Sequence, residues 1–327
     1  MRVSPPIPMR DQHHPVEAGN AVPLVSVIIP MLDAAKTIDR TLASACGQSF
    51  KQIEIIVVDD GSCDGSLVIA QRHAQADPRI RVLSQPNAGV AAARNRGIAE
   101  ARGNFIAPLD ADDLWKPTKI EHQLAAMADP AVGLTYCWYS IIDADDRVRT
   151  DDCRSTAEGN VLEAMAMRNI VGHGSGALIR ASALREIGGF DPSLRARGGE
   201  GCEDYKVYFC IAERHRFALV RECLVGYRET QANMSSDPRK ALRSRDIVVP
   251  EFTERHPELE GVFHAGRLRI MRFMLGRAIR MRKPGDAAFL LREMLRSDAV
   301  LAVTNLGELA KGLYRSILRT DRAHRTF

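Results

Sequence analysis

Three carboxylates occupy four positions near residue 110 of this 327-residue chain. The segment NFIAPLDADDLW, residues 104–115, begins as an apolar run and ends with Asp110, Asp112 and Asp113. Such close carboxylates repel one another, so the cluster is unfavourable unless its charge is compensated. Mg²⁺ and Mn²⁺ prefer oxygen ligands and accept a mixture of carboxylate, water and phosphate oxygens. The spacing therefore indicates a Mg²⁺ or Mn²⁺ site at which the cation binds together with a diphosphate.

Acidic residues also follow two earlier apolar runs. LVSVIIP is followed closely by Asp33, and IEIIVVDD ends in Asp59 and Asp60. Any one of these acids could be a turn former, and Ser62 or Asp64 is a good candidate to cap the next helix. Three acidic clusters after three apolar runs favour a shared binding site instead.

The elements around these clusters alternate between strand and helix. The pattern predicts strands over 24–30, 53–60, 80–85 and 104–110, and helices over 34–46, 64–76 and 88–101. Such alternation makes an α/β fold with a parallel sheet and right-handed crossovers, whose ligands gather beyond the carboxyl ends of the strands. Further along we expect a strand over 132–142, a solvated acidic hairpin over 143–152, a helix over 158–170, a Gly-rich loop entering a strand over 172–180, and a helix over 201–215.

The last third of the chain differs from the rest in pattern and charge. Residues 246–327 lack strand signals, and helices with basic faces are predicted over 266–283, 286–298 and 307–318. Residues 261–327 hold 14 Lys and Arg against 5 Asp and Glu, whereas the other 260 residues hold 31 against 36. The basic helices could pack on the main domain, lie on an anionic membrane surface or bind a partner chain. Nucleic acid is not expected, because the aromatic residues of a stacking platform are absent.

Composition describes an ordinary soluble globular protein, with 45% apolar and 26% charged residues. No stretch offers the roughly 18 apolar residues needed to cross a bilayer. The seven cysteines show no CxxC spacing, which argues against a disulfide framework or a zinc site and suits a reducing cytosol. Residues 1–23 contain five prolines and no apolar signal region, so we expect a disordered leader there.

Four motifs together resemble the family 2 glycosyltransferases. They are SVIIPMLDAAKTIDRTLASACGQSFKQIEIIVVDDGSCDGS, NAGVAAARNRGIAEARGNFIAPLDADDLWKPTKIEHQL, GGFDPSL and EDYKVYFCIA, in that order. The resemblance covers about residues 24–237 and implies a GT-A fold, with a Rossmann-like, mixed but mainly parallel sheet flanked by helices. It also implies a nucleoside-diphosphate sugar donor, a divalent cation and inversion at the anomeric carbon. Residues 238–327 would then form a basic helical C-terminal extension.

The resemblance assigns several residues to the nucleotide. Pro30 matches a backbone contact to the base, and Asp60 matches a carboxylate that hydrogen-bonds the base, with Asp59 in support. Arg94 sits where family members often place a cation near the nucleotide, although an arginine on a helix surface is an equal alternative. Asp110 matches a carboxylate on the ribose or metal side.

The resemblance also assigns the metal and the base. Asp112 matches the direct metal ligand, with Asp110 beside it and Asp113 as a supporting or alternative ligand. Asp204 matches the general base, with Glu203 next to it, although acids in a first helical turn can also act only on the helix dipole. An inverting transfer needs such a carboxylate, because the acceptor hydroxyl loses its proton as it attacks.

Some positions depart from the family pattern. Leu32 and Asp33 stand where an aromatic residue and Asn are common, and Thr230 stands where many members have His. His173 lies where acceptor contacts are expected, with a structural role as the alternative.

The roles of two tryptophans and one serine have alternative interpretations. Trp115 and Trp138 could form a sugar platform, but a core position is the default for both. Ser175 is expected to be a turn residue.

The sequence thus predicts transfer of a sugar to a hydroxyl of a glycan, which we expect to be lipid-linked and part of bacterial surface polysaccharide or exopolysaccharide assembly. We expect a cytoplasmic protein, and contact of its basic helices with the inner face of the membrane is one of the alternatives for those helices. Nucleotidyl transfer to a sugar phosphate is an alternative, but PMLDAAKT offers only Lys36 where a Gly-rich basic signature would be needed. A non-catalytic glycan- or nucleotide-binding subunit is the other, and the intact acids argue against it.

Overall fold

The computed structural model describes residues 24–229, 237–297, 326 and 327. The strands are β1 (Val25–Met31), β2 (Ile53–Asp59), β3 (Ile80–Ser84), β4 (Phe105–Pro108), β5 (Leu114–Trp115), β6 (Val132–Ile142), β7 (Val148–Cys153), β8 (Ala177–Arg180) and β9 (Arg216–Arg228). The helices are α1 (Ile38–Cys46), α2 (Ser66–Ala76), α3 (Val90–Ala99), α4 (Lys119–Ala125), α5 (Leu162–Met167), α6 (Ala181–Glu186), α7 (Ser193–Arg197), α8 (Glu203–Ala212), α9 (Pro238–Arg255), α10 (Glu260–Arg280) and α11 (Pro284–Ser297).

The described strands form one mixed sheet in the order β3-β2-β1-β4-β8-β6-β9-β5, with β7 added to β6. Strands β1 to β4 are parallel, with Ile28 of β1 opposite Ile56 of β2 and Pro108 of β4. Strands β6 and β9 also run parallel, whereas β8, β7 and β5 join antiparallel. The predicted α/β fold with a mixed sheet flanked by helices is confirmed. Its parallel part contains the first four predicted strands, β1 to β4.

Strands β1 and β2 are buried along their whole length, which explains their continuous apolar sequences. Helix α3 packs closely over β1 and β2 because residue 97 is glycine. A Cβ at Gly97 would lie 2.7 Å from Cγ2 of Ile28. This close approach fixes the position of Arg94, one turn earlier on the same helix.

The largest difference from the sequence prediction is β9, a 13-residue strand that the sequence did not reveal. Its pairing with β6 shifts register between Val220 and Cys223, opposite Cys137 and Trp138. The shift breaks the alternation of buried and exposed residues along β9. The sequence of this strand therefore shows neither a regular alternation nor a continuous apolar run. Strand β5 was missed as well, because two residues are too few to carry a pattern.

The C-terminal region is helical, as predicted, and it packs on the sheet domain. Phe252 of α9 stacks on Phe209 of α8 with ring centroids 4.0 Å apart, and Phe263 of α10 joins the same buried cluster. Helix α8 therefore rests on the extension.

None of the helices in the described residues is long and apolar enough to cross a membrane. The predicted leader and the predicted helix over 307–318 lie outside the described residues.

Candidate active site

The acidic turn between β4 and β5 is held by Asp113. This residue is fully buried, its Oδ2 accepts a hydrogen bond from Ser175 Oγ at 2.5 Å, and its Oδ1 accepts one from the Arg228 backbone N–H at 2.9 Å. Ser175 Oγ also accepts a bond from the backbone N–H of Asp110 at 3.0 Å. Burial raises the pKa of Asp113 well above its usual value, and repulsion from Asp112 and Asp110 adds to that shift. Asp113 thus joins the turn to two distant segments.

Arg228, at the end of β9, clamps the same turn from the other side. Its buried guanidinium donates from Nε to the carbonyl oxygen of Asp112 at 2.7 Å and from Nη1 to that of Asp143. It also donates from Nη2 to the carboxylate of Asp146, which pairs in addition with Arg40. The acids of the β6–β7 hairpin were expected to be solvated, and this expectation is wrong for Asp146. Together with the Asp143 carbonyl, this carboxylate anchors the arginine that holds the acidic turn.

Arg94 lies beneath the turn and is not a surface arginine. Only 5% of it is exposed, its Nη2 donates to Asp110 Oδ1 at 2.6 Å, and the guanidinium lies over the Phe190 ring. Burial alone lowers the pKa of the guanidinium, but the negative charges of Asp110, Asp204 and Glu203 outweigh burial and raise that pKa. One buried cation therefore pairs with Asp110 of the acidic turn and is also stabilised by the negative charges at the start of α8.

Asp112 is the acid of the turn whose carboxylate accepts no hydrogen bond from any other described residue. Burial raises its pKa to about 6, with repulsion from Asp110 as the next cause. This uncompensated, half-buried carboxylate fits a site for a cation. Among residues 24–229, 237–297, 326 and 327 there is no group of three or more His, Cys, Asp and Glu side chains arranged to hold a metal ion.

The acids after β1 and β2 organise the neighbouring loops. Asp60 is buried and accepts three hydrogen bonds, from the Gln85 side chain at 2.7 Å and from the backbone N–H groups of Ala88 at 2.9 Å and Gly89 at 2.8 Å. Asp33, in the left-handed region with φ 48°, accepts a bond from the Cys63 backbone N–H at 2.8 Å.

Two further predicted nucleotide contacts lie on the adjacent strands. Asp59 is buried and accepts a bond from the Ser62 backbone N–H at 3.2 Å, and Pro30 lies within β1 opposite Val58. Leu32, where the family commonly has an aromatic residue, is 48% exposed beside these loops.

Asp204 and Glu203 begin α8, on the other side of Arg94. Glu203 is buried and accepts a bond from the Gly201 N–H at 2.9 Å, so it shapes the loop before the helix. Asp204 is half-buried and accepts bonds from the Tyr205 N–H at 2.7 Å and from the Asn169 side chain at 3.4 Å. Burial raises the pKa of Asp204 to about 7, opposed by Arg94 and reinforced by Glu203. A carboxylate tuned to neutral pH is suited to accept a proton.

The two tryptophans have structural partners. Trp115 is buried, donates from Nε1 to the Ser175 carbonyl at 3.0 Å and lies against the Lys119 ammonium, so it belongs to the core. Trp138 is half-buried and donates to the Ser155 carbonyl at 2.7 Å. These contacts agree with a core position for both rings.

His173 is 5% exposed, and its ring stacks on Tyr227 with centroids 4.8 Å apart. Neither ring nitrogen has a hydrogen-bond partner in the described part of the chain. Thr230 lies outside the described residues.

Comparison with known proteins agrees with this geometry. The family model described as glycosyl transferase family 2 matches residues 26–188. The putative teichuronic acid biosynthesis glycosyltransferase TuaG of Bacillus subtilis is 31% identical over 240 residues, which cover 72% of this chain and 91% of TuaG. The chain belongs to glycosyltransferase family 2.

Solved structures show that this family 2 glycosyltransferase has the GT-A fold. A mannosyltransferase from Pyrobaculum calidifontis, solved with GDP-Man and Mn²⁺, matches with a TM-score of 0.60 and 20% identity over 91% of this chain and 81% of its own. TarS of S. aureus, solved with UDP-GlcNAc, matches with a TM-score of 0.56 and 16% identity over 84% of this chain and 81% of its own. At these identities the likeness shows the fold alone.

Sequence reasoning missed the two residues that hold the acidic turn together. Ser175 was expected to be a turn residue, yet its hydroxyl joins Asp110 to Asp113. Arg228 follows the apolar run CLVGY and precedes the polar residues Glu229 and Thr230. An arginine directly after an apolar run is the signal that could have identified it, because arginine is rarely buried without partners.

Proposed function

We propose that this glycosyltransferase transfers a sugar, with inversion, from a nucleoside-diphosphate sugar to a hydroxyl of a lipid-linked glycan. One observation carries the proposal: Gly174 lies against both Arg94 and Asp110, and its carbonyl oxygen accepts a hydrogen bond from Tyr208 of α8, one turn after Asp204. A donor bound at the turn and an acceptor at Asp204 would therefore be neighbours. In that geometry the acceptor oxygen attacks the anomeric carbon as the bond to the diphosphate breaks.

Asp204 is the base in this proposal. It accepts the proton of the attacking hydroxyl, and its pKa of about 7 allows it to be deprotonated at neutral pH and still basic. Glu203 supports it by holding the Gly201 loop. Removal of a general base typically lowers the rate by about 10²–10⁴-fold.

The acidic turn receives the donor. We propose Asp112 and Asp110 as cation ligands, since the Asp112 carboxylate has no hydrogen bond from other described residues and Asp110 is bonded among them only through Oδ1, to Arg94. Asp113 fits this role less well, because both of its oxygens are already bonded. When bound, Mg²⁺ or Mn²⁺ neutralises the charge that builds on the leaving diphosphate. The mannosyltransferase neighbour, solved with GDP-Man and Mn²⁺, supports this class of donor and ion.

The nucleotide is proposed to lie over the loops after β1 and β2. Asp60 and Asp59 would set the shape of this pocket, and Asp60 orders the loop that enters α3. Pro30 would contribute through its backbone, as the family resemblance implies. The exposed Leu32 offers an apolar surface to the base in place of an aromatic ring.

The setting follows from the relatives. TuaG is named for teichuronic acid biosynthesis, which supports a role in bacterial surface polysaccharide assembly. A cytoplasmic location is supported by seven cysteines without paired spacing.

A donor panel tests the proposal. UDP-, GDP- and dTDP-sugars are added with and without Mn²⁺, and a ligand that binds the folded protein raises its melting temperature. The Asp204→Asn variant should keep that donor-dependent shift and lose transfer, whereas Asp129→Asn, an exposed acid far from α8 in sequence, should keep both. Transfer at a near-normal rate by Asp204→Asn would contradict the proposal that Asp204 is the base. The absence of a shift with every donor would remove the proposal.

A further inference from the structure

Helices α10 and α11 form a hairpin and pack against each other. Leu268 and Met271 of α10 pack with Leu290 and Met294 of α11 in a buried cluster. Only three residues separate the helices, which makes the pair antiparallel. Helix α10 also packs on α5, where Gly266 lies against the backbone of Met167, so the exposed side of α10 is the one that carries Phe273.

The outer side exposes large apolar residues. Among the described residues five large apolar side chains are exposed, and three of them lie on this hairpin: Phe273 at 63%, Met281 at 40% and Leu295 at 52%. Phe273 shares a helix face with Arg269 and Arg280, which are four and seven residues away and also exposed. A single exposed apolar residue is ordinary, but Phe273 stands between two exposed arginines of the same helix face, an arrangement that indicates an interaction surface.

Most cations of the hairpin make no ion pair with the described residues. Residues 260–297 hold nine Lys and Arg against three Asp and Glu. Two of the three acids are engaged, Asp286 with Arg239 at 2.7 Å and Glu293 with Arg296 at 2.9 Å. Six cations make no side-chain ion pair or hydrogen bond within the described part of the chain: Arg269, Arg272, Arg280, Arg282, Lys283 and Arg292.

We propose that the outer side of the α10–α11 hairpin, here called the basic face, binds the surface of an anionic membrane. Basic residues interleaved with exposed Phe, Met and Leu are typical of helices that lie in the interfacial plane. Arginines attract acidic headgroups, and a partly inserted Phe273 would add apolar contact with the acyl boundary. The inference stands on this surface and does not depend on the sugar-transfer chemistry.

The basic face also explains how the enzyme could meet a lipid-linked acceptor. Helix α10 continues from α9, and Phe252 of α9 stacks on Phe209 of α8, the helix that begins with Glu203 and Asp204. A hairpin that docks on a membrane would thus hold α8 near the lipid surface through direct packing.

Vesicle sedimentation of the full chain tests the inference. The probes are vesicles of phosphatidylcholine alone and vesicles with about one third phosphatidylglycerol, at about 50 mM and about 300 mM salt. We expect binding to the anionic vesicles only, weakened at the higher salt. Arg269→Gln and Arg280→Gln should each lower the partition coefficient about fivefold, which corresponds to about 1 kcal/mol per basic residue.

Matched controls separate this surface from general charge and stickiness. Arg185→Gln removes an exposed arginine from α6, and Val68→Ser removes an exposed apolar residue from α2, so neither should change binding. Phe273→Ser should weaken binding and leave its salt dependence in place. All variants should keep the donor-dependent melting shift, so a failure of donor binding would count against the proposed function alone.

Several outcomes would overturn the inference. They are equal binding to neutral and anionic vesicles, no binding to either, or losses in Arg185→Gln as large as those in Arg269→Gln. Binding to duplex DNA without binding to vesicles would assign the basic face to nucleic acid instead.

Discussion

Replacing Asp204, the proposed general base, should make the protein more stable, and the gain should depend on pH. The pKa of Asp204 is about 7 in the folded protein, against an ordinary value of 3.8. The folded state therefore holds the Asp204 proton more tightly than the unfolded state does. Above pH 7 both states are ionised, and the folded state carries the full cost of a poorly solvated charge. Below the unfolded value the carboxyl is neutral in both states and the cost vanishes.

The magnitude follows from the size of this shift. A difference of about three pKa units corresponds to at most about 4 kcal/mol, at 1.36 kcal/mol per unit. Asp204 is only half-buried, and in Asp204→Asn the amide of Asn169 would face another amide in place of a carboxylate oxygen. The weaker hydrogen bond from Asn169 costs about 1 kcal/mol. We therefore expect Asp204→Asn to gain roughly 1–3 kcal/mol at pH 8, or several degrees in melting temperature.

Thermal unfolding of the wild type and Asp204→Asn at a series of pH values measures this gain. The stability difference should be largest above pH 7 and should shrink as the pH falls towards 4. Transfer by the wild type should decline over the same range, because protonated Asp204 cannot act as base. Asp129→Asn serves as the control. A variant that melts below the wild type at pH 8, or a gain that is the same at pH 5 and pH 8, would show that the fold does not raise the pKa of Asp204.

Three other changes probe the turn and its supports. Asp112→Asn should abolish the extra melting shift that Mn²⁺ gives with a donor, because it removes an unpaired ligand, while the shift with nucleotide alone should remain. Ser175→Ala should cost about 1–3 kcal/mol in the free energy of unfolding, measured with denaturant, because the buried Asp113 loses a hydrogen bond; an unchanged midpoint would contradict this. Gly97→Ala should be destabilising by at least about 1 kcal/mol and reduce transfer, since its Cβ would meet Ile28 at 2.7 Å; wild-type melting and activity would argue against that contact.

The sequence predicted the parts of the fold whose signals are local. Strands β1 and β2 were found because they are continuous runs rich in Val and Ile between turns, and β4 and β6 because they are segments rich in apolar and aromatic residues. Strand β9 was not, because a register shift interrupts its pattern and charged residues lie beside the shift. Strand propensity is a property of a single segment, whereas β9 forms through its pairing with the distant strand β6.

The same contrast holds at the site. Asp110, Asp112 and Asp204 could be predicted because their carboxylates stand in short motifs. The residues that hold the acidic turn could not, since Ser175 is 62 residues and Arg228 is 115 residues from Asp113. Contacts over such distances exist only after the sheet has formed. Motifs thus indicate candidate reacting groups, and the tertiary structure shows which groups position them.

The C-terminal extension shows why position in the sequence is a poor guide to role. A boundary near residue 237 was predicted from the extent of the family resemblance. Phe252 and Phe263 from beyond that point nevertheless share a buried cluster with Phe209 of α8. Helix α8 begins with Glu203 and Asp204, so the packing of α9 and α10 against it sets where the proposed base stands.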